Sequence, residues 1–279
     1  MRLSTNIFIS ESLSNTSIRF GSSLEKLTSG IKVNKASDDG SGLSIADKLR
    51  TQATSLNKAV DNGNSAIAML QIADKSMAEQ SKILDTIKAE LVQANTDTTS
   101  SAGREAIAKD ISKLLEQLNN IGKQTNYNGR QLISGSNGTT SASIHTFQVG
   151  EKFSDTINTV AISANTTGLL LTTLSSNVAT ATNFTKAQAA TAQSAINSAI
   201  TSLNTMRADI GSTQNQIESA VRNLMTQATN IEAAKSAILD VDYAFESANF
   251  KKETIILNAG QFALTQANAR MENILRLLQ

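Results

Sequence analysis

Few side chains in this sequence could do chemistry, and they do not cluster. His145 is the single histidine and cysteine is absent, so the chain has neither thiol nucleophiles nor disulfides. A zinc hydrolase site of the His-Glu-x-x-His kind cannot be built from one histidine. A surface position on a short strand is the expected setting for His145. The one carboxylate pair that invites a catalytic or metal-binding reading is Asp38-Asp39. It stands in the turn-rich stretch from Gly30 to Gly42, with no histidine or further ligand near it. That setting fits helix capping or a salt bridge. No catalytic, cofactor-binding or metal-ligating residue is assigned, and a non-enzyme is expected.

What the chain has in abundance is periodicity. From Ile196 an apolar residue recurs at every seventh position, through Leu203, Ile210, Ile217, Leu224, Ile231 and Ile238 to Phe245. A second row continues as Ala234, Val241, Ala248, Ile255, Phe262 and Ala269. A seven-residue repeat held this long keeps one seam of a long helix against partner helices. The partners must come from the rest of the chain or from other copies.

Other rows supply candidates. Leu13, Phe20 and Leu27, with Leu24 and Ile31 in the neighbouring row, predict a helix over 3–31. Leu49, Leu56, Leu70, Met77, Leu84 and Leu91 share a row with Gly63 in its gap, beside Ala46, Ala53, Val60 and Ile67. After the polar loop from Asn95 to Gly103, Ser101 with Glu105 reads as a helix start. Ile107, Leu114 and Ile121, next to Ile111 and Leu118, carry that helix to the turn Asn126-Tyr127-Asn128-Gly129. Between Leu132 and Ser176 heptads vanish, and the alternation around Phe147, Val149, Ile157 and Ile162 predicts a β hairpin. The fold class expected is mainly α: a long antiparallel helical bundle or coiled coil with a small β-hairpin region at about 132–176. The N- and C-terminal helices then pair.

Composition sharpens this. Aromatics are 4% of residues, with no Trp, which favours thin helical seams over a bulky core. Net charge is +1, so the basic footprint of a nucleic-acid or acidic-membrane binder is missing. No apolar run reaches the roughly 20 residues of a membrane span. The first residues lack an apolar signal-peptide core. There is no Pro, where average usage of about 5% would give roughly 14. Long helices exclude Pro. A chain without Pro or Cys also meets no slow isomerisation or cross-link, which suits export unfolded. Three sequons, at Asn137, Asn165 and Asn183, match a pattern common by chance and carry no weight.

Several stretches resemble bacterial flagellins. Leu27-Thr28-Ser29-Gly30-Ile31-Lys32-Val33-Asn34 is similar to the family's Leu-Ser-Ser-Gly-Leu-Arg-Ile-Asn. Asp38-Asp39-Gly40-Ser41-Gly42-Leu43-Ser44-Ile45-Ala46-Asp47-Lys48-Leu49-Arg50 resembles Asp-Asp-Ala-Ala-Gly-Leu-Ala-Ile-Ala-Asp-Arg-Leu-Arg. Asn126 to Gly129 resembles its Phe-Asn-Gly turn, and Phe147-Gln148-Val149-Gly150 its Phe-Gln-Ile-Gly. Ala259-Gly260-Gln261-Phe262-Ala263-Leu264-Thr265-Gln266-Ala267-Asn268 and the terminal Leu275-Arg276-Leu277-Leu278 resemble C-terminal family motifs.

The resemblance implies a structural filament subunit, exported unfolded through the flagellar type III channel to an extracellular filament. It implies a homopolymer of many copies, with an export chaperone, a cap and hook-associated proteins as further partners, and no cofactor. Residues 1–42 and 236–279 would form the inner coiled-coil tube domain, and 43–235 a helical bundle domain. The linking segment is too short for outer domains, so a thin-walled filament is expected. The polymerisation seam would comprise Leu13, Phe20, Leu24, Leu27, Ile31, Ala248, Ile255, Phe262, Leu275 and Leu278. Where many flagellins carry Gln-Arg-Val-Arg-Glu-Leu, read by an animal innate receptor, this chain has Asp85-Thr86-Ile87-Lys88-Ala89-Glu90. Ala269-Arg270-Met271 replaces a segment that often holds Pro, so an unbroken final helix is expected. A hook–filament junction protein, or a secreted coiled-coil adhesin or effector, are the alternative readings.

Overall fold

The computed structural model describes residues 2–134, 143–180 and 184–277. Six helices account for most of them: α1 (Arg2–Ser29), α2 (Ala36–Ala94), α3 (Ser101–Gln124), α4 (Thr172–Ala179), α5 (Lys186–Leu239) and α6 (Tyr243–Leu277). Between α3 and α4 lie two small antiparallel hairpins, β1 (Asn126–Tyr127) with β2 (Arg130–Gln131), and β3 (Thr146–Gln148) with β4 (Thr156–Asn158). The chain divides into two compact units, one of residues 1–53 and 229–279, the other of 54–228. The sequon at Asn137 and Asn183 of the third sequon lie outside the described residues.

In the unit of 54–228 the heptad rows become core. Leu56, Leu70, Met77, Leu84 and Leu91 of α2 are buried, as are Ile196, Leu203, Ile210, Ile217 and Leu224 of α5. Gly63 fills its gap for a steric reason: a Cβ there would lie 2.4 Å from Val221 Cγ2. The two helices are also tied by Arg207 Nε donating to Asp74 Oδ1 at 2.8 Å. Ile111 and Leu118 of α3 are fully buried, and buried Gln80 donates to the carbonyls of Leu118 (3.0 Å) and Ala164 (2.7 Å). Ser100, one residue before the expected Ser101, caps α3 by accepting from the Gly103 amide at 3.1 Å. Arg104 reaches back to the carbonyls of Ala94 and Thr96, quenching acceptors left at the end of α2.

The Asn128-Gly129 turn has both residues at positive φ, 51° and 77°. Such pairs match the twist of a two-residue hairpin. In the second hairpin Phe147 pairs with Ile157, and a bridge between Ser143 and Ile162 extends the ladder. His145 departs from its expected surface setting. It is 3% exposed, with Nε2 3.1 Å from the Leu132 carbonyl and its amide donating to Thr159 Oγ1. Its side chain points to the same side as Phe147 and Val149, the inward face of the hairpin, so strand alternation buries it. Burial holds its pKa below the ordinary imidazole value, and the nearby Arg130 adds to this.

The unit of 1–53 and 229–279 contains α1 and α6 packed antiparallel. The heptad row from Ile196 does not stay on one helix as far as Phe245. Asp240-Val241-Asp242 separates α5 from α6. The break has its own bonding: the Asp242 carboxylate accepts from the amides of Ala244 and Phe245, capping α6. Opposite it, Gly30 (φ 73°) ends α1. The two breaks pair, Lys32 amide to Leu239 carbonyl at 2.6 Å and Val241 amide to Gly30 carbonyl at 3.0 Å. Asp38 and Asp39 act as the caps that their setting implies. Asp38 Oδ2 accepts from the amides of Asn34 and Lys35, and Asp39, itself non-helical (φ −160°, ψ 96°), accepts from Gly42 at 2.8 Å.

Candidate assembly interface

The helix pair of α1 and α6 is built from two facing seams. On α1 the covered positions are Ile9, Leu13, Thr16, Phe20, Ser23 and Leu27, spaced alternately by four and three. On α6 they are Glu246, Phe250, Glu253, Leu257, Gly260, Leu264 and Ala267, spaced the same way. That alternation is the knobs-into-holes register of a coiled coil. Phe20 stacks on Phe250 with ring centroids 4.9 Å apart. Leu13 lies over Gly260, where a Cβ would be 3.0 Å from Leu13 Cδ1.

The α6 row that the sequence brings forward is a different one. Ala248, Ile255 and Phe262 lie about 200° around the helix from Phe250, Leu257 and Leu264, as two positions along at 3.6 residues per turn require. They are exposed, Ile255 at 68% and Phe262 at 73%. Helix α6 is therefore apolar on two opposite faces, and α1 covers one. On α1, Phe8, Ile18 and Leu24 are likewise exposed.

The expected seam residues thus divide. Leu13, Phe20 and Leu27 are half-buried within the helix pair, and Ile31 is half-buried at the paired breaks, bridged to Asp240. Leu24, Ala248, Ile255 and Phe262 face outward. Leu275 falls in the last turns of α6, which runs unbroken through Ala269–Met271 to Leu277, and Leu278 lies outside the described residues. The row of Phe250, Leu257 and Leu264 went unnoticed in sequence. Its signal was there: a second sevenfold row half a helix turn from the first, with Gly260 making room for a large partner.

The stretch from Asp85 to Glu90 sits on α2 of the other unit. Asp85, Thr86, Lys88 and Ala89 are exposed, Ile87 is fully buried, and Glu90 is half-buried. Burial raises the Glu90 pKa, and Asp110 raises it further. Among the described residues no three His, Cys, Asp or Glu side chains gather as a metal site. No helix among them is long and apolar enough to cross a membrane.

The structure defines an α-helical protein whose terminal helix pair leaves one apolar face uncovered. Comparison with known proteins places it further. Residues 3–138 match the bacterial flagellin N-terminal helical region and residues 193–278 the C-terminal helical region. The chain belongs to the bacterial flagellins, the structural subunits of flagellar filaments. It is 31% identical over 304 residues to the flagellin of Bacillus subtilis, covering the whole of both chains. It is 55% identical over 115 residues to Flagellin B of Helicobacter pylori, covering 41% of this chain and 22% of that one. The chain thus spans only about a fifth of the length of that relative. A proposed flagellar hook-associated protein from Vibrio parahaemolyticus shares the fold, with a TM-score of 0.62 at 12% identity over 73% of this chain and 100% of that one. The family match favours the filament subunit over the junction-protein and adhesin readings.

Proposed function

We propose that this chain polymerises into an extracellular flagellar filament and that its terminal helices make the inner wall. The carrying observation is the two-faced α6: Phe250, Leu257 and Leu264 are covered by α1, while Ala248, Ile255 and Phe262 are bare. Residues 1–42 and 236–279 would form the inner tube domain and 43–235 the helical bundle domain. Leu24, Ala248, Ile255 and Phe262 would seal one copy to the next, with Leu275 and Leu278 extending the seam. Large exposed apolar patches on soluble proteins mark interaction surfaces. Concentrated purified protein viewed by negative-stain microscopy should show long tubular filaments; dispersed monomer at all concentrations would defeat the reading.

On the same reading, export is by the flagellar type III route with a chaperone holding the unassembled chain. A cap guides polymerisation and hook-associated proteins seat the base. The subunit is not a catalyst. Metal-dependent peptidase activity in pure protein, abolished by substituting His145, would overturn that. Asp85 to Glu90 lacks the paired arginines of the receptor-read motif, and Arg is not replaced by a single Lys at a bidentate contact. Signalling through the animal receptor should be weak, and a reporter response equal to that of a flagellin with the usual motif would refute it.

A further inference from the structure

The covered seam between α1 and α6 is made of two kinds of layer. The stacking of Phe20 on Phe250 and the contact of Leu13 with Gly260 fix how the antiparallel helices align. In that alignment Thr16 falls beside Glu253 and Ser23 beside Glu246, one polar layer on each side of the stacked rings. Thr16 and Glu253 accordingly line one groove, with Arg19 at its edge. Thr16, Ser23 and Glu246 are buried and Glu253 is half-buried. The polar residues recur at seven on each helix, as Leu13, Phe20 and Leu27 and then Phe250, Leu257 and Leu264 do.

A polar residue at a seam position lowers the stability of a coiled coil, and a carboxylate taken from water without a partner is the costliest kind. Nothing across the seam compensates here. The Thr16 hydroxyl is turned back on its own helix, donating to the Ser12 carbonyl at 2.9 Å. Neither Glu246 nor Glu253 enters an ion pair among the described residues. Glu246 stands in the first turn of α6, where the helix dipole favours an acid. That accounts for a glutamate near the helix start, but not for its place on the covered face. Glu253, about three turns into the helix, is beyond the reach of that effect.

We infer that Glu246 and Glu253 are a brake built into the terminal helix pair: they weaken the seam so that α1 and α6 part readily in a dilute monomer and stay together once other copies cover the outer face of α6. The last step rests on the filament reading. The weakening itself is a property of the single chain. Leucine at both positions would complete an apolar seam from Leu27 to Leu13, and the pair would then hold without neighbours.

The test is the rate of tryptic cleavage after Arg19 in the full-length chain, at a concentration where every protein compared is monomeric. Arg19 is exposed on α1, and its flanking residues are untouched by changes on α6. Combining Glu246→Leu with Glu253→Leu should slow that cut by about tenfold or more, since cleavage follows the open population. Glu246→Gln with Glu253→Gln, which removes charge and keeps shape, should slow it by a smaller factor of about threefold. Glu11→Leu, a change at an exposed glutamate off the seam, should alter it by less than about twofold. On polymerisation the wild type should gain helical circular dichroism, and the double leucine variant should gain less. An unchanged or faster cut in both double variants, or equal slowing by Glu11→Leu, overturns the brake and leaves the filament reading intact. A wild-type chain that never forms filaments overturns the filament reading, and the cleavage rates still decide whether the glutamates weaken the seam.

Discussion

Phe20 stacks on Phe250 at a centroid distance of 4.9 Å, while Phe262, three turns further along α6, meets no other ring among the described residues and is 73% exposed. The two phenylalanines of α6 should therefore fail in different ways. Phe250→Ala removes a packed ring from the monomer and should lower the helicity and protease resistance of the α1–α6 pair. A stacked pair alone is worth about 0.5–1.5 kcal/mol beyond its burial. Phe262→Ala should leave the monomer within about 0.5 kcal/mol. In the filament, where the ring is proposed to be buried, its loss should cost about 3–5 kcal/mol. Circular dichroism of the monomer and the critical concentration for polymerisation separate the two effects. Equal effects of both variants on the monomer would contradict the two-faced helix.

Gly63 offers a test confined to the other unit. Alanine is about 1 kcal/mol better than glycine in a helix interior. Here its Cβ would come 2.4 Å from Val221 Cγ2, and overpacking costs about 1–3 kcal/mol. The clash wins, so Gly63→Ala should lower the monomer's melting temperature. In a Val221→Ala background the clash is gone, and Gly63→Ala should then stabilise. Thermal melts of the four proteins decide, and a destabilising Gly63→Ala in both backgrounds would discount the steric account.

His145 makes the hairpin unit sensitive to pH. Burial, with Arg130 adding to it, depresses its pKa from 6.5. The unfolded chain therefore binds the proton at higher pH than the folded one, so stability rises with pH across that interval. The contribution is complete above about 6.5 and is lost as pH falls from there through the folded pKa. Nδ1 is buried without a partner and has nowhere to place a second proton. Replacing it with Gln, which keeps a donor for the Leu132 carbonyl, should flatten the fall of denaturant midpoints as pH drops below about 6.5. An unchanged slope in His145→Gln would exclude His145 as the source.

The core rows were legible because nothing but packing governs them. From Leu56 to Leu91 and from Ile196 to Leu224 the residue at every seventh position is apolar and buried, save Gly63, which is buried without a side chain. The end of α5 was not legible. Asp240-Val241-Asp242 holds neither Gly nor Pro, and the break is fixed by bonds to Gly30 and Lys32, about 210 residues earlier in the chain. Periodicity sees only neighbours along a helix. His145 hid for a similar reason: strand alternation predicts two faces, but which is buried depended on where Leu132 and Thr159 came to lie. On α6 the outward row stood out because it continues the sevenfold series from Ala234 and Val241 through Ala248, Ile255 and Phe262, and hydrophobicity marks covered and uncovered faces alike.

Deleting Ala248 to Gln279 should give a soluble, folded, largely helical monomer that cannot polymerise. The rows of α2, α3 and α5 that form the core of residues 54–228 lie wholly within what remains. The terminal helices are in a different position. Ordering each residue costs roughly 1–2 kcal/mol of backbone entropy. A fully buried Leu, Ile or Phe returns about 1.5–3 kcal/mol. In the α1–α6 pair Leu13, Phe20, Leu27, Phe250, Leu257 and Leu264 are only half-buried, one such large side chain to every seven ordered residues. That return falls short of the cost, and burial of Leu24, Ala248, Ile255 and Phe262 against other copies is what would make up the difference. Folding of the ends is then coupled to assembly, and stability depends on subunit concentration. In the full-length monomer, limited proteolysis should cut α1 and α6 well before α2, α3 and α5, and polymerisation should protect them. Long filaments from the truncated protein, or monomer ends as resistant as the middle, would show that the outer face of α6 is not the surface that drives assembly.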